Sequence, residues 1–317
     1  MKISIILPLF DRRNAGWRSL ESAVGQAFAR ERYEVIAVLG SDLDSTTDDR
    51  APCDLLSRCD HVERTALDTT DVANEIALYA AGAAHASGDV LLFMEGHTAL
   101  APNCCALIDA HWRRRPATQM AWAPRINHGD TPLGRLVSLH NLRHERRAAA
   151  QGTFSLGANS VVRRDLFVRL GGFDPRFHRF GETAILARAR AAGIAVDCIG
   201  APLATHFNDM GVDLWRDLVM QMGGGKAAYY DALRADGADL RRHVRHPAYL
   251  VAARPWCARV LYPLLRAAGT GLLALAMRVL PRRESLASSL YVVAVGATDL
   301  SGYCRARIRA GARREPA

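Results

Sequence analysis

The strongest constraint on the fold is a series of apolar segments that end in polar residues and alternate with helical segments. Residues 3–10, 33–39 and 90–94 are apolar almost throughout rather than alternately, which is typical of strands buried on both faces. Helical spacing of apolar residues lies between them, at 17–28 and 72–87. Repeated strand–helix units predict an α/β domain with a mostly parallel sheet covered by helices.

Polar residues at the ends of these strands are the first candidates for a ligand site. In open α/β sheets, ligands bind beyond the carboxyl ends of the strands. The residues that follow or end the three predicted strands are Pro8, Asp11, Asp42, Asp44, Glu95, Gly96 and His97. No G-x-G-x-x-G follows the first strand, so a dinucleotide oxidoreductase is disfavoured.

The second half of the chain continues with shorter elements. The pattern predicts strands at 120–123, 195–199 and 201–205, and helices at 102–115, 164–170, 182–192 and 214–234. Glycines 171 and 172 open a turn that ends at Pro175. Three consecutive glycines, Gly223 to Gly225, predict an interruption of the last helix.

The excess positive charge lies in the C-terminal quarter. Residues 1–240 hold 27 Lys+Arg and 29 Asp+Glu, whereas residues 241–317 hold 14 and 3, a net charge of +11. Apolar residues recur there at helical spacing, and the charge-free runs 267–277 and 285–298 are 11 and 14 residues long. Such runs are shorter than the ~18–20 residues that span a bilayer. The pattern favours amphipathic helices lying in an anionic membrane surface.

Two further readings of this basic quarter stay open, and one is disfavoured. The helices could instead cover the sheet, or pair with another subunit to form a homo-oligomer. Nucleic acid is disfavoured as a partner, because the arginines are not interleaved with aromatic residues. Seven cysteines without any C-x-x-C argue against a disulfide framework, and together with the absence of signal-peptide features they indicate the cytoplasm.

Four stretches together resemble the family-2 glycosyltransferases, inverting enzymes with the GT-A fold. They read ISIILPLFDRR, YEVIAVLGSD, AAGAAHASGDVLLFMEGH and GANSVVRRDLFVRLGGFDPRFHRFGE. The resemblance covers roughly residues 1–235. It implies a GT-A domain over 1–240, with a donor half at 1–125 and an acceptor half at 126–240, followed by a basic helical extension at 241–317. It also implies a nucleotide-sugar donor and a glycan or lipid-linked acceptor at the inner face of the cell membrane.

The resemblance implies roles for individual residues on the donor side. The residues expected to bind the donor are Pro8, Asp11, Asp42, Asp44, Glu95 and Gly96. Among them Asp42, or alternatively Asp44, would contact the base or ribose, and a solvated loop position is the alternative for each of these acids. The family places Asp-x-Asp after the third strand, whereas this chain has Glu95-Gly96-His97. Carboxylate and imidazole still suit Mn²⁺ or Mg²⁺, so the expected metal ligands are Glu95, His97 and His206. The alternative is that this turn and His206 are structural.

On the acceptor side, the resemblance implies that Glu182 is the general base. Inversion is a single displacement in which a carboxylate takes the proton of the acceptor hydroxyl. The alternative for Glu182 is a helix N-terminal carboxylate stabilised by the helix dipole. The other residues expected to face the acceptor are Trp122, Arg125, Gly172 and Asp174, with a core position as the alternative for Trp122. A non-catalytic protein of the same fold, binding a nucleotide sugar or acting as a scaffold, is the rival function.

Overall fold

The computed structural model describes residues 1–9, 17–40, 53–65, 75–151, 160–238, 244 and 246–312, with the side chains of 149–151 left out. The chain forms two compact units. The first comprises Met1–Pro175 and Ile185–Met210, and the second comprises Arg176–Ala184 and Gly211–Ala317. These units are defined by packing. The division predicted at residue 240 separates a transferase domain from a basic extension by function and not by packing, and it stays a prediction.

Ten strands in the described part of the first unit form two sheets. In chain order they are β1 Ile3–Pro8, β2 Tyr33–Gly40, β3 His61–Thr65, β4 Val90–Phe93, β5 Thr98–Leu100, β6 Met120–Trp122, β7 Arg125–His128, β8 Ser160–Arg163, β9 Val196–Cys198 and β10 Ala204–Phe207. The larger sheet has the order β3-β2-β1-β4-β8-β6-β9 and the smaller has the order β5-β10-β7. Only β8 runs antiparallel within the larger sheet, so the predicted mostly parallel sheet is confirmed.

Some of the described helices belong to the first unit and others to the second. They are α1 Arg18–Val24, α2 Cys53–Leu56, α3 Glu75–Ala84, α4 Cys104–Arg114, α5 Pro132–Gln151, α6 Arg164–Arg169, α7 Gly181–Ala191, α8 Val212–Ala235, α9 Ala248–Ala252, α10 Pro255–Val279 and α11 Glu284–Ala312. Short 3₁₀ segments lie at Arg30–Arg32 and Pro175–Phe180. Helix α5, which has 20 residues, is not predicted by the sequence pattern.

The core explains why the strands are apolar along their whole length. Alternate residues of β1 enter two different apolar clusters, one on each face of the sheet. Leu7 packs with residues of α1 and α4 in the first cluster, whereas Ile6 packs with α3 in the second. A strand covered by helices on both faces needs apolar side chains at nearly every position, and the buried exceptions Ser4 and Glu34 are hydrogen-bonded to each other.

A buried carboxylate network fixes the start of β4. Glu34 accepts hydrogen bonds from Ser4 Oγ, Ser87 Oγ and the backbone N–H of Gly88, and it pairs with Lys2 at 2.7 Å. Burial alone would raise the pKa of Glu34, but these partners lower it to about 2. Because β4 runs directly from this network toward Glu95, the network holds one end of the strand that carries the candidate site.

Helix α8 is continuous, so the predicted interruption at the glycines is wrong. The glycines are sites of close packing within the second unit. A Cβ on Gly223 would lie 1.8 Å from the backbone oxygen of Asp299 in α11, and one on Gly225 would lie 1.9 Å from that of Phe177. Packing against α11 and the 3₁₀ segment therefore offsets the cost of about 1 kcal/mol that each glycine imposes on a helix.

Adding a methyl group at Gly223 should therefore destabilise the protein, whereas the same change at Gly224 should not. We expect Gly223→Ala to lower the free energy of unfolding by about 3 kcal/mol, because helix backbones in contact must move apart. Gly224 has nothing within 4 Å of its Cβ position, so Gly224→Ala should be neutral or stabilising by up to about 1 kcal/mol. Chemical denaturation of both variants measures the difference. Equal free energies of unfolding for the two variants would contradict the close packing of Gly223 against α11.

The predicted amphipathic helices of the C-terminal quarter are present as α10 and α11. Helix α10 has 25 residues, so by length and composition alone it could cross a membrane, although Arg259, Arg266 and Arg278 interrupt its apolar sequence. Only 17% of its most apolar 18-residue window is buried. Trp256, Val260 and Leu264 are 65%, 59% and 63% exposed, and their spacing of four residues places them on one face.

Candidate metal centre

The turn after β4 presents two of the predicted metal ligands. Met94 continues the pairing of β4, donating its backbone N–H to Ile6. The next four residues close a turn in which the Thr98 N–H donates to the carbonyl of Glu95 at 3.0 Å, and β5 begins at Thr98. Gly96 is the residue between Glu95 and His97, and all three are buried. The side chains of Glu95 and His97 are thus held at the carboxyl end of a central strand.

Strand β10 brings His206 to the same place. His206 pairs with Thr98 in the antiparallel ladder between β10 and β5, and the N–H of Phe207 donates to the carbonyl of His97 at 3.0 Å. The sequence pattern predicts that His206 follows a strand at 201–205, whereas it lies inside β10, Ala204–Phe207. The ladder fixes its position more firmly than a loop would.

The three side chains converge on one point. His206 Nε2 lies 2.7 Å from Glu95 Oε2, His97 Nε2 lies 3.2 Å from the same oxygen, and the two Nε2 atoms are 3.0 Å apart. The imidazole rings are inclined at 62°, and the side chains of His97 and His206 are 1% and 6% exposed. One carboxylate and two imidazoles therefore form a buried triad.

Hydrogen bonds alone do not account for these three contacts. A neutral imidazole carries one N–H, and a nitrogen that donates has no lone pair left to accept. If His206 Nε2 donates to Glu95, it cannot also accept from His97 Nε2. A divalent cation resolves the conflict, because octahedral ligands about 2.1 Å from an ion lie about 3.0 Å from each other. The triad fits a divalent metal ion in ligand type and in spacing.

The charges around the triad favour its metal-binding form. Burial alone would raise the pKa of Glu95, but the adjacent imidazoles of His97 and His206 lower it well below its ordinary value. Burial, together with the charge of Arg125, lowers the pKa of His206 to about 3. An ionised carboxylate and a neutral imidazole are the forms that bind metal ions.

Arg125, predicted on the acceptor side, lies beside the triad. Its Nη1 atom is 4.0 Å from Glu95 Oε2, and its Nε donates to Glu145 Oε1 at 2.8 Å. Asn127, two residues further along β7, donates to the same Glu145 oxygen at 3.4 Å. Glu145 is a buried residue of α5, so it holds the guanidinium next to the triad as a fixed positive charge.

A layer of polar side chains joins α5 to the two strands that flank the triad. Asn208 donates to Ser138 Oγ at 2.9 Å and to Asn127 Oδ1 at 3.3 Å, and Asn141 donates to Asn208 Oδ1 at 3.2 Å. Neither this layer nor Glu145 is predicted by the sequence. Their only sequence signal is a polar run on a helix that lacks a strong apolar periodicity.

The remaining donor-side predictions fall into two groups. Asp11, Asp42 and Asp44 lie outside the described residues. Pro8 ends β1, is buried, and pairs with Val38 of β2, which places it at the carboxyl end of the sheet. Its predicted contact with the donor stays a prediction.

The predicted acceptor residues are spread over several environments. Trp122 is 5% exposed and packs with Ala148 and Val196, which is the core position that the sequence left open. Gly172 has φ +60°, and its carbonyl accepts from Arg188 at 2.6 Å, so a turn after α6 explains this glycine. Asp174 is half-buried just before the 3₁₀ segment. Their acceptor roles stay predictions.

Glu182 lies in the first turn of α7, where the helix dipole stabilises a carboxylate. It is half-buried and belongs to the second compact unit, whereas the triad belongs to the first. This is the position that the structural alternative describes. The assignment as general base stays a prediction.

No protein-family model matches the chain, and no curated protein matches it. Among solved structures, the chain is similar to the mannosyltransferase PcManGT from Pyrobaculum calidifontis in complex with GDP-Man and Mn²⁺. The two sequences are 18% identical, the match covers 94% of this chain and 87% of that chain, and the TM-score is 0.56. S. aureus TarS 1–349 in complex with UDP is 14% identical over 99% and 92% of the two chains, with a TM-score of 0.46. Glucosyl-3-phosphoglycerate synthase from Mycobacterium tuberculosis is 14% identical over 75% and 81%, with a TM-score of 0.48.

The likeness to PcManGT settles the fold. At 18% identity and a TM-score of 0.56, it shows the same architecture and no more. The predicted α/β fold of the GT-A type, with a helical C-terminal region, is therefore confirmed.

Proposed function

We propose that this protein is a metal-dependent inverting glycosyltransferase that moves a sugar from a nucleotide-sugar donor to a hydroxyl of a glycan or lipid-linked acceptor. The observation that carries the proposal is the convergence of Glu95, His97 and His206 at the carboxyl end of β4. PcManGT, of the same fold, is described with GDP-Man and Mn²⁺. A role in cell-surface polysaccharide assembly, on the cytoplasmic side of the membrane, belongs to the same proposal.

The residues of the triad would hold Mn²⁺ or Mg²⁺. Two imidazoles favour Mn²⁺, because Mg²⁺ prefers an all-oxygen environment. When bound, the cation supplies positive charge that stabilises the diphosphate as it leaves. Arg125 adds a second, permanent positive charge 4.0 Å from Glu95, held in place by Glu145. In a buried site, oriented charges of this kind need no reorganisation during the reaction.

The acceptor side of the proposal rests on Glu182. In a single displacement, a base must take the proton of the attacking hydroxyl while the bond to the diphosphate breaks. Glu182 is the carboxylate that the resemblance assigns to this step, and its half-buried position at the start of α7 leaves part of it accessible. The anomeric configuration of the sugar would invert.

Metal-dependent donor binding tests the proposal directly. We expect one or a few nucleotide sugars to raise the melting temperature in the presence of Mn²⁺, because a ligand that binds only the folded state stabilises it by mass action. The same sugars should have little effect in EDTA. Transfer to water or to an acceptor in the Mn²⁺ sample would establish catalysis, whereas binding without any turnover would favour the non-catalytic rival.

The second compact unit supports a location at an anionic membrane. The exposed apolar face of α10 carries Trp256, Val260 and Leu264, and Leu275 lies further along the helix. Exposed arginines accompany this face and the turn after it, at positions 254, 259, 266, 278, 282 and 283. Apolar side chains entering the interface and arginines meeting lipid phosphates are the two contributions that anchor a helix in the membrane plane.

Binding to vesicles tests the membrane location. We expect the full chain to bind phosphatidylserine vesicles at low salt and to be released as salt is raised, since screening weakens surface attraction. Trp256→Ser and Leu264→Ser should each weaken the vesicle partition coefficient about tenfold, because each removes 1–3 kcal/mol of apolar burial. Val168→Ser is the matched control, since Val168 is also 65% exposed but lies on α6. If the protein does not bind the vesicles at low salt, the membrane location is wrong. A dimer in sedimentation would then favour the alternative in which these helices pair with another subunit.

A further inference from the structure

A second convergence of metal-binding side chains lies on the edge strand of the larger sheet. His61 and Glu63 are two residues apart on β3 and so share a face, and His85 follows the end of α3. His61 Nε2 and His85 Nε2 are each 3.2 Å from the same atom, Glu63 Oε2. The three ligand atoms lie within 4.8 Å of one another.

The cluster lies at the surface and not in the core. The three side chains are between 32% and 39% exposed, so they contribute little to the core. The described contacts of the Glu63 carboxylate are with the two imidazoles, whose rings stack with centroids 3.8 Å apart and planes inclined at 22°. Two imidazole nitrogens are thus directed at one carboxylate oxygen at an accessible surface.

We propose that His61, Glu63 and His85 form a second metal site, for a borderline divalent transition ion of which Zn²⁺ is the model. The site differs chemically from the buried triad, because its ligands are exposed. Ligand atoms of a tetrahedral ion with bonds of about 2.05 Å lie about 3.3 Å apart, close to the 3.2 Å between each imidazole nitrogen and the carboxylate oxygen. Imidazole also favours Zn²⁺ over Mg²⁺.

Three protein ligands leave one position of a tetrahedral ion for water or another small ligand. The ion is therefore expected to exchange with solvent. Binding requires the stacked rings to turn until both lone pairs meet at the ion, and the side chains of His61 and His85 are 37% and 39% exposed. A bound ion would link β3 to the chain after α3 and stabilise the folded edge of the sheet by mass action. This inference does not rest on the proposed transferase function.

Zinc titration of the metal-free full chain tests the site. Isothermal titration calorimetry of the unmodified protein should show a class of Zn²⁺ site whose affinity is about 100-fold or more weaker in His61→Ala and in His85→Ala. Glu63→Gln, which keeps the size of the side chain, should weaken the same class and provides the test if either histidine variant fails to fold. Co²⁺ bound at the site should show the strong visible absorption of a four-coordinate ion.

His246→Ala is the matched control, because His246 is exposed and lies outside the cluster. It should leave Zn²⁺ binding unchanged. The comparison does not depend on whether the buried triad also takes Zn²⁺, since the triad is intact in every protein compared. Equal numbers of bound Zn²⁺ at equal affinity in the unmodified protein and in His85→Ala would overturn the proposal.

Discussion

Substituting the buried triad should abolish metal-dependent donor binding. We expect Glu95→Gln and His206→Ala each to lower kcat/KM by about 10³-fold, since each removes a ligand of the cation that neutralises the diphosphate. Donor affinity in Mn²⁺ should fall to the value that the unmodified protein shows in EDTA. Calorimetry with the donor, with and without Mn²⁺, gives both quantities for each variant.

The controls separate loss of the metal from general damage to the protein. His111 on α4 is buried like His206 but lies outside the triad, so His111→Ala should leave the Mn²⁺ dependence intact. Combining His97→Ala with His206→Ala should cost little more than either change alone, because ligands of one ion act as a unit. If the unmodified protein binds the donor equally well in Mn²⁺ and in EDTA, the metal assignment is wrong. Arg125 would then be the described positive charge that can neutralise the diphosphate.

The first half of the fold follows from the sequence because its signals are local. A strand buried on both faces must be apolar throughout, and a polar turn after it marks the carboxyl end of the sheet. Glu95 and His97 could therefore be identified from their place after β4. His206 is 109 residues from His97, and only the resemblance pointed to it, because the ladder of β10 with β5 is not visible in either segment alone.

The features that the sequence did not reveal depend on contacts between distant segments. Arg125 is paired with Glu145 across 20 residues, and no local pattern distinguishes that pairing from an exposed charge. Gly223 and Gly225 predict a broken helix by intrinsic propensity, yet packing at these positions overrides a cost of about 1 kcal/mol each. The same packing of α8 against α11 joins residues before 240 to the basic extension in one compact unit.

The decisive test of catalysis is Glu182→Gln. If Glu182 is the base, the change should lower kcat by about 10²–10⁴-fold, the usual contribution of a positioned general base. Donor affinity should stay nearly unchanged, because glutamine has the same size and the carboxylate acts on the acceptor. A loss in kcat with little change in donor KM is the pattern of an interaction made in the transition state.

If Glu182 is only a helix-end carboxylate, Glu182→Gln should change stability slightly and leave turnover unchanged. Glu284 provides a control for such a residue. Both are acidic residues in the first turn of a helix, where the dipole is worth about 0.3–1 kcal/mol. Glu284→Gln should therefore cost that much stability and spare turnover. If Glu182→Gln behaves in the same way, with a small loss of stability and full activity, Glu182 is a helix-end carboxylate only. Asp174, the nearest preceding acid in the sequence, is then the next base to test by Asp174→Asn.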